Sequence, residues 1–104
     1  MSQNGIGDQL GQAWAYHRAG QQDEAAQAFQ QILNTNANHI DALFGLGLAQ
    51  RGSQQPDAAL ETFQRCLTLV NQALEAEPGS DRYEILQRML EQRIAEIKSA
   101  APGS

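Results

Sequence analysis

The sequence predicts an all-α chain in which one helical hairpin is used twice and followed by a fifth helix. Three observations predict it. Ala, Leu, Gln, Glu and Arg are plentiful and β-branched and aromatic residues are sparse. The plentiful types lose little rotamer freedom in a helix. Sliding the chain against itself by 34 residues sets Leu10 on Phe44, Gly11 on Gly45, Ala13 on Gly47, Trp14 on Leu48, Ala25 on Ala59, Phe29 on Phe63, Ile32 on Cys66 and Leu33 on Leu67. Large residues fall on large and small on small, the mark of a stacked repeat. Within each period the apolar residues recur at three- and four-residue spacing, which puts them on one side of a helix.

The first helix is expected from about Asp8 to Ala19, with Gly20 as its left-handed terminator. The second runs from Asp23 to Asn34 and carries the stripe Ala25, Ala26, Phe29, Ile32 and Leu33. A polar turn follows, in which Asn38 is placed to cap the third helix and Asp41 to sit in its first turn. That helix ends near Arg51. Gly52-Ser53-Gln54-Gln55 forms the next loop, and Pro56 suits the first position of the fourth helix. The fourth helix extends to about Glu77, where Glu77-Pro78-Gly79 stops it. Aligning Pro78 with Ala37 leaves seven extra residues, close to two turns, so the buried face stays in register. The fifth helix is capped by Ser80 or Asp81 and reaches about Ser99, with Tyr83, Leu86, Leu90, Ile94 and Ile97 on its apolar face. Residues 101–104 read as a tail or linker.

Composition narrows the function. A chain of 104 residues, 41% hydrophobic, is sized for one domain, assigned to residues 1–100. The net charge is -5 and the basic residues are scattered, which argues against a nucleic-acid partner. No apolar run is long enough to span a bilayer, so no membrane role is expected. The first residues lack a basic and apolar leader, and the lone Cys66 has no partner for a disulfide; the expected compartment is the cytoplasm. His17, His39 and Cys66 are not spaced as metal ligands, and Cys66 reads as packing. No nucleophile motif, phosphate loop or paired carboxylate suggests catalysis, so neither an enzyme nor a cofactor is expected.

The repeat resembles the tetratricopeptide repeat (TPR) family. The first unit supplies Gln9, Gln12, Ala13, Tyr16, Gly20, Ala25, Phe29 and Ala37 at the family's positions. The second supplies Leu43, Leu46, Gly47, Gln50, Ala59, Phe63 and, after the extension, Pro78. Ala13, Gly47, Ala25 and Ala59 stand where paired helices approach closely and a bulky side chain would wedge them apart. The pattern departs from the family in lacking its Trp, in the polar Gln9 and Gln12, and in Gln54 where the first turn has Gly20. The resemblance implies a short right-handed superhelix of antiparallel helix pairs, an α-solenoid of five helices. Its units are 6–39 and 40–79, with a capping helix at 80–99. Arg88 falls at the small position of the fifth helix, which marks that helix as a cap with a charged outer face.

The resemblance also implies a protein or peptide partner held on the concave face formed by the first helix of each pair. Its lining would be Leu10 with Trp14, Phe44 with Leu48, and Ile85 with Met89. Residues four apart share a helix face, so these are three parallel apolar rungs. His17, Arg18, Arg51, Arg82 and Arg93 flank them, which suits a hydrophobic or amphipathic segment with acidic flanks. Such stripes also occur as ordinary core; of the two readings the groove is favoured. The family's carboxylate clamp does not transfer, because Leu10, Trp14 and Gly45 stand where its Lys and Asn are expected. Two further roles stay open: self-assembly as a homodimer, through Leu10, Trp14 and the extension residues Val70 and Leu74, or a regulatory segment of a larger protein.

Overall fold

Among the described residues five helices follow one another in chain order: α1 (Ile6–Arg18), α2 (Gln22–Thr35), α3 (Ile40–Gly52), α4 (Pro56–Ala76) and α5 (Asp81–Ala100). The structure, a computed structural model, describes residues 6–100; residues 1–5 and the expected tail at 101–104 lie outside them. No strand occurs among the described residues. Each helix packs on the next in sequence, and α1 also touches α3 lightly. The result is an α-solenoid of stacked hairpins, as the 34-residue repeat predicts.

α3 is the centre of the stack because it is gripped on two sides. Phe29 of α2 and Phe63 of α4 are both fully buried, and each ring seats on a glycine of α3. A Cβ on Gly45 would clash with the ring of Phe29, and a Cβ on Gly47 with the ring of Phe63. Two residues turn a helix by about 200°, so the two notches open on nearly opposite sides. Glycine is needed at both for close approach. Ile32, Cys66, Val70 and Leu90 complete the largest fully buried side chains.

The ends of the stack explain two departures from the repeat pattern. Gln9 and Gln12 are exposed, while their counterparts Leu43 and Leu46 are buried. α3 is covered by both α2 and α4, whereas α1 packs on α2 and only lightly on α3, so polar residues suit its bare side. Gly11 differs from Gly45 in the same way, since a Cβ there would meet open space.

The turns also repeat. At the end of α1 the Gln21 N–H donates to the Tyr16 carbonyl at 2.9 Å and the Gly20 N–H to the His17 carbonyl at 3.0 Å. At the end of α3 the Gln55 N–H donates to Gln50 at 2.9 Å and the Gln54 N–H to Arg51 at 3.1 Å. Both are Schellman turns, which require a left-handed residue after the helix. Gly20 supplies it with φ 82°, and Gln54 adopts it with φ 63° despite its side chain.

The expected caps need one correction. α3 is capped by His39, whose Nδ1 accepts from the Ala42 N–H at 3.1 Å, and not by Asn38. The Asn38 N–H instead donates to Asn36 Oδ1 at 3.2 Å inside the preceding turn. Ser80 caps α5, accepting from the Tyr83 N–H at 3.3 Å. The extra turns of α4 are covered within the chain. Val70 is fully buried, Leu74 is half-buried, and Gln87 of α5 donates to Asn71 at 2.8 Å.

Candidate functional site

The first helix of each pair, together with α5, supplies the expected rungs, and the structure divides them by exposure. On α1, Leu10 and Trp14 are half-buried against the core. Trp14 meets Phe29 edge-on at 5.0 Å between ring centres and lies 6.4 Å from Phe44, which is in turn 6.1 Å from Phe63. These aromatics form a continuous row linking α1, α2, α3 and α4, and edge-to-face geometry at such distances is attractive. Phe44 and Leu48 on α3 are also half-buried. On α5, Ile85 and Met89 are the large hydrophobic side chains that stand out into solvent, 53% and 40% exposed. The row therefore runs from shared core at α1 to open apolar surface at α5.

Of the flanking basic residues, His17, Arg51, Arg82 and Arg93 already hold partners within the chain. Arg82 donates to both carboxylate oxygens of Asp41 at 3.2 Å, and its guanidinium lies 5.6 Å from the Tyr83 ring centre. Arg51 pairs with Glu96 at 3.0 Å, and Arg93 reaches the same carboxylate at 3.4 Å. Arg93 also holds a buried Nε–H that meets no acceptor. His17 donates from Nδ1 to Gln22 Oε1 at 2.7 Å and meets Trp14 edge-on at 5.8 Å, so it ties α1 to α2. Arg82 is thus balanced by Asp41, whereas Arg51 and Arg93 share the one carboxylate of Glu96 and leave a net positive charge at that end. Each such exposed pair is worth only about 0–1 kcal/mol, so the placing of α5 comes mainly from its packing on α4.

From sequence, Asp41 is placed only in the first turn of α3, and neither Asp41 nor Glu96 has a role at the site. A signal was present for one of them: Asp41, Phe44, Leu48 and Arg51 follow one another at spacings of three and four, the period of one helix face. What the sequence does not carry is the pairing of Asp41 and Arg51 with residues more than forty positions away.

Charge is partitioned between the two sets of helices. α1, α3 and α5 each carry as many acidic as basic side chains, with histidine neutral. The whole net charge of -5 comes from α2, α4 and Glu77 at the α4 C-cap, where Asp23, Glu24, Asp57, Glu61, Glu75 and Glu77 are set against Arg65 alone.

Other features of the molecule are structural. Cys66 is fully buried and donates weakly to the Ile40 carbonyl at 3.5 Å. Its thiol is pushed up to about 12, first by burial and then by the charge of Asp41, so it stays protonated and poorly nucleophilic at neutral pH. Among the described residues no group of three His, Cys, Asp or Glu side chains is arranged to hold a metal. No described helix is long and apolar enough to cross a membrane. A cavity of about 320 Å³ is lined by Pro56, Leu60, Ile97 and Ala100 together with the charged Arg51, Asp57, Glu96 and Lys98.

Comparison with known proteins agrees with the repeat. No curated protein matches the chain. The tetratricopeptide repeat pattern, however, matches residues 9–39 and again residues 41–69, which together make up more than half of the sequence. Only residue 40 separates the two matches, and the second stops before the added turns of α4. Repeats of this kind are non-enzymatic and generally mediate protein–protein interaction. With two matched repeats stacked as successive hairpins around α3, this chain belongs to the tetratricopeptide repeat family.

Proposed function

We propose that the protein is an interaction adaptor that binds a hydrophobic or amphipathic segment of another polypeptide on the α1–α3–α5 face. The observation that carries the reading is the exposure of Ile85 and Met89 in line with the half-buried Phe44 and Leu48. Solvent-exposed apolar side chains that continue a partly buried strip, with charges at its margin, are the usual make-up of a partner site. The neutral balance of the three helices on this side supports an apolar ligand over a strongly charged one. The lone, protected thiol of Cys66 suits a reducing compartment such as the cytoplasm.

The test is comparative affinity capture with wild type and a variant altered once on each rung, Leu10→Ser/Leu48→Ser/Met89→Ser, its helicity checked by circular dichroism. Proteins that bind through this face should be retained by wild type and lost from the variant. Equal retention of every captured protein by a folded variant would refute the groove.

A further inference from the structure

α5 outruns the helix beside it, and its last turn helps to enclose a cavity at one end of the stack. Asp41 pairs with Arg82 near the start of α3 and α5, and Arg51 pairs with Glu96 farther along both, so the two helices run parallel. Past the second pair α3 stops at Gly52, whereas α5 continues for one more turn to Ala100. That turn has no α3 opposite it and lies by the start of α4. Ile97 and Ala100 then face Pro56 and Leu60 across a cavity of about 320 Å³, at the lower end of the roughly 300–1,000 Å³ typical of small-molecule sites. The cavity stands apart from the rungs of the α1–α3–α5 face, none of which lines it.

Walls and rim together specify an occupant with two parts. Pro56, Leu60, Ile97 and Ala100 offer apolar walls, which suit a hydrocarbon stem. The rim is charged, and its cations are in excess: Arg51, Arg93 and Lys98 stand against Glu96 and Asp57. Glu96 is shared by Arg51 at 3.0 Å and Arg93 at 3.4 Å, and Lys98 forms no ion pair among the described residues. Asp57 lies in the first turn of α4, where the N-terminal dipole of that helix already stabilises a carboxylate. The Arg51 side chain is 41% exposed, so its N–H groups not engaged by Glu96 stay open to a second acceptor. An ammonium head would meet this excess of like charge, and a neutral head would leave it unmet.

We propose that this cavity is a small-molecule site for a short aliphatic carboxylate, whose stem fills the space between Pro56, Leu60, Ile97 and Ala100 and whose head meets Arg51 and Lys98 at the rim. The stem supplies most of the affinity, and the head group supplies the choice among ligands. A ligand seated there ties the last turn of α5 to the start of α4.

The probes are hexanoate, hexan-1-ol and hexylammonium, each titrated into the isotope-labelled full chain and followed by amide chemical shifts. Hexanoate should give saturable shifts at Leu60, Ile97, Lys98 and Ala100, with a Kd on the order of 1 mM, as burial of about five apolar carbons allows. Hexan-1-ol should bind at least about fivefold more weakly, and hexylammonium at least about tenfold more weakly. Ala100→Trp fills the cavity from an exposed position at the helix end and should abolish hexanoate binding with helicity unchanged. Lys98→Glu, also at an exposed position, should weaken hexanoate roughly tenfold. Equal binding of the three probes, shifts at Ile85 and Met89 in place of the cavity residues, or no saturation by hexanoate at about 20 mM overturns the site. Hexanoate binding that survives Ala100→Trp overturns it as well. Tighter binding of acetyl-Gly-Leu than of hexanoate would give the cavity to the C-terminus of a polypeptide, and the small-molecule assignment would fall.

Discussion

At the scale of single residues, one repeat position has opposite meanings at its two occurrences. Gly11 and Gly45 are aligned by the 34-residue period, yet Gly45 holds the ring of Phe29 and Gly11 faces open space. A methyl group at position 45 must displace a fully buried aromatic, whereas at position 11 it only relieves the cost of glycine inside a helix. Gly45→Ala is expected to destabilise the protein by about 1–3 kcal/mol, and Gly11→Ala to stabilise it by about 0.5–1 kcal/mol. Urea denaturation of both variants measures the difference, and changes of like sign would contradict the packing described. The sequence shows that both sites are small. It does not show which is filled, because that depends on a neighbouring helix present at one and absent at the other.

At the scale of elements, the helices were legible and some of their ends were not. Stripes such as Ala25, Phe29, Ile32 and Leu33 locate α2 because burial of one face is written into the period of the residues. The His39 cap was hidden by Asn38, a better cap by type that instead closes the turn before it. The left-handed Gln54 was hidden because a side chain disfavours that conformation; the turn holds through the hydrogen bonds to Gln50 and Arg51. Gln54 therefore carries strain that Gly20 does not. Gln54→Gly should raise stability by up to about 1 kcal/mol, visible as a higher thermal midpoint. A lower midpoint would mean that the Gln54 side chain makes a compensating contact.

At the scale of the whole molecule, the ends of the stack are finished differently. The bare side of α1 is made polar by Gln9 and Gln12, in positions where α3 has the buried Leu43 and Leu46. Restoring the repeat pattern with Gln9→Leu/Gln12→Leu would place two leucines on uncovered surface. That variant is expected to self-associate with rising concentration in sedimentation velocity, more strongly than wild type; identical behaviour of the two would show that these glutamines do not guard the end. The candidate site was legible to a similar depth. The i, i+4 rungs could be read from spacing, and their exposure could not. Trp14 is half-buried because Phe29 and Phe44 reach its ring, while Met89 stands out into solvent, a difference that belongs to the assembled stack.

The partition of charge has a consequence for how the protein meets others. With the excess negative charge confined to α2, α4 and the α4 C-cap, the molecule is an electric dipole whose acidic pole lies away from the apolar rungs. Approaching an acidic protein, it is turned by the field so that α1, α3 and α5 lead. Approaching a basic one, it is turned the other way and the rungs trail. Collisions with basic proteins therefore begin with α2 and α4 in front, a bias that fades as added salt shortens the reach of the field.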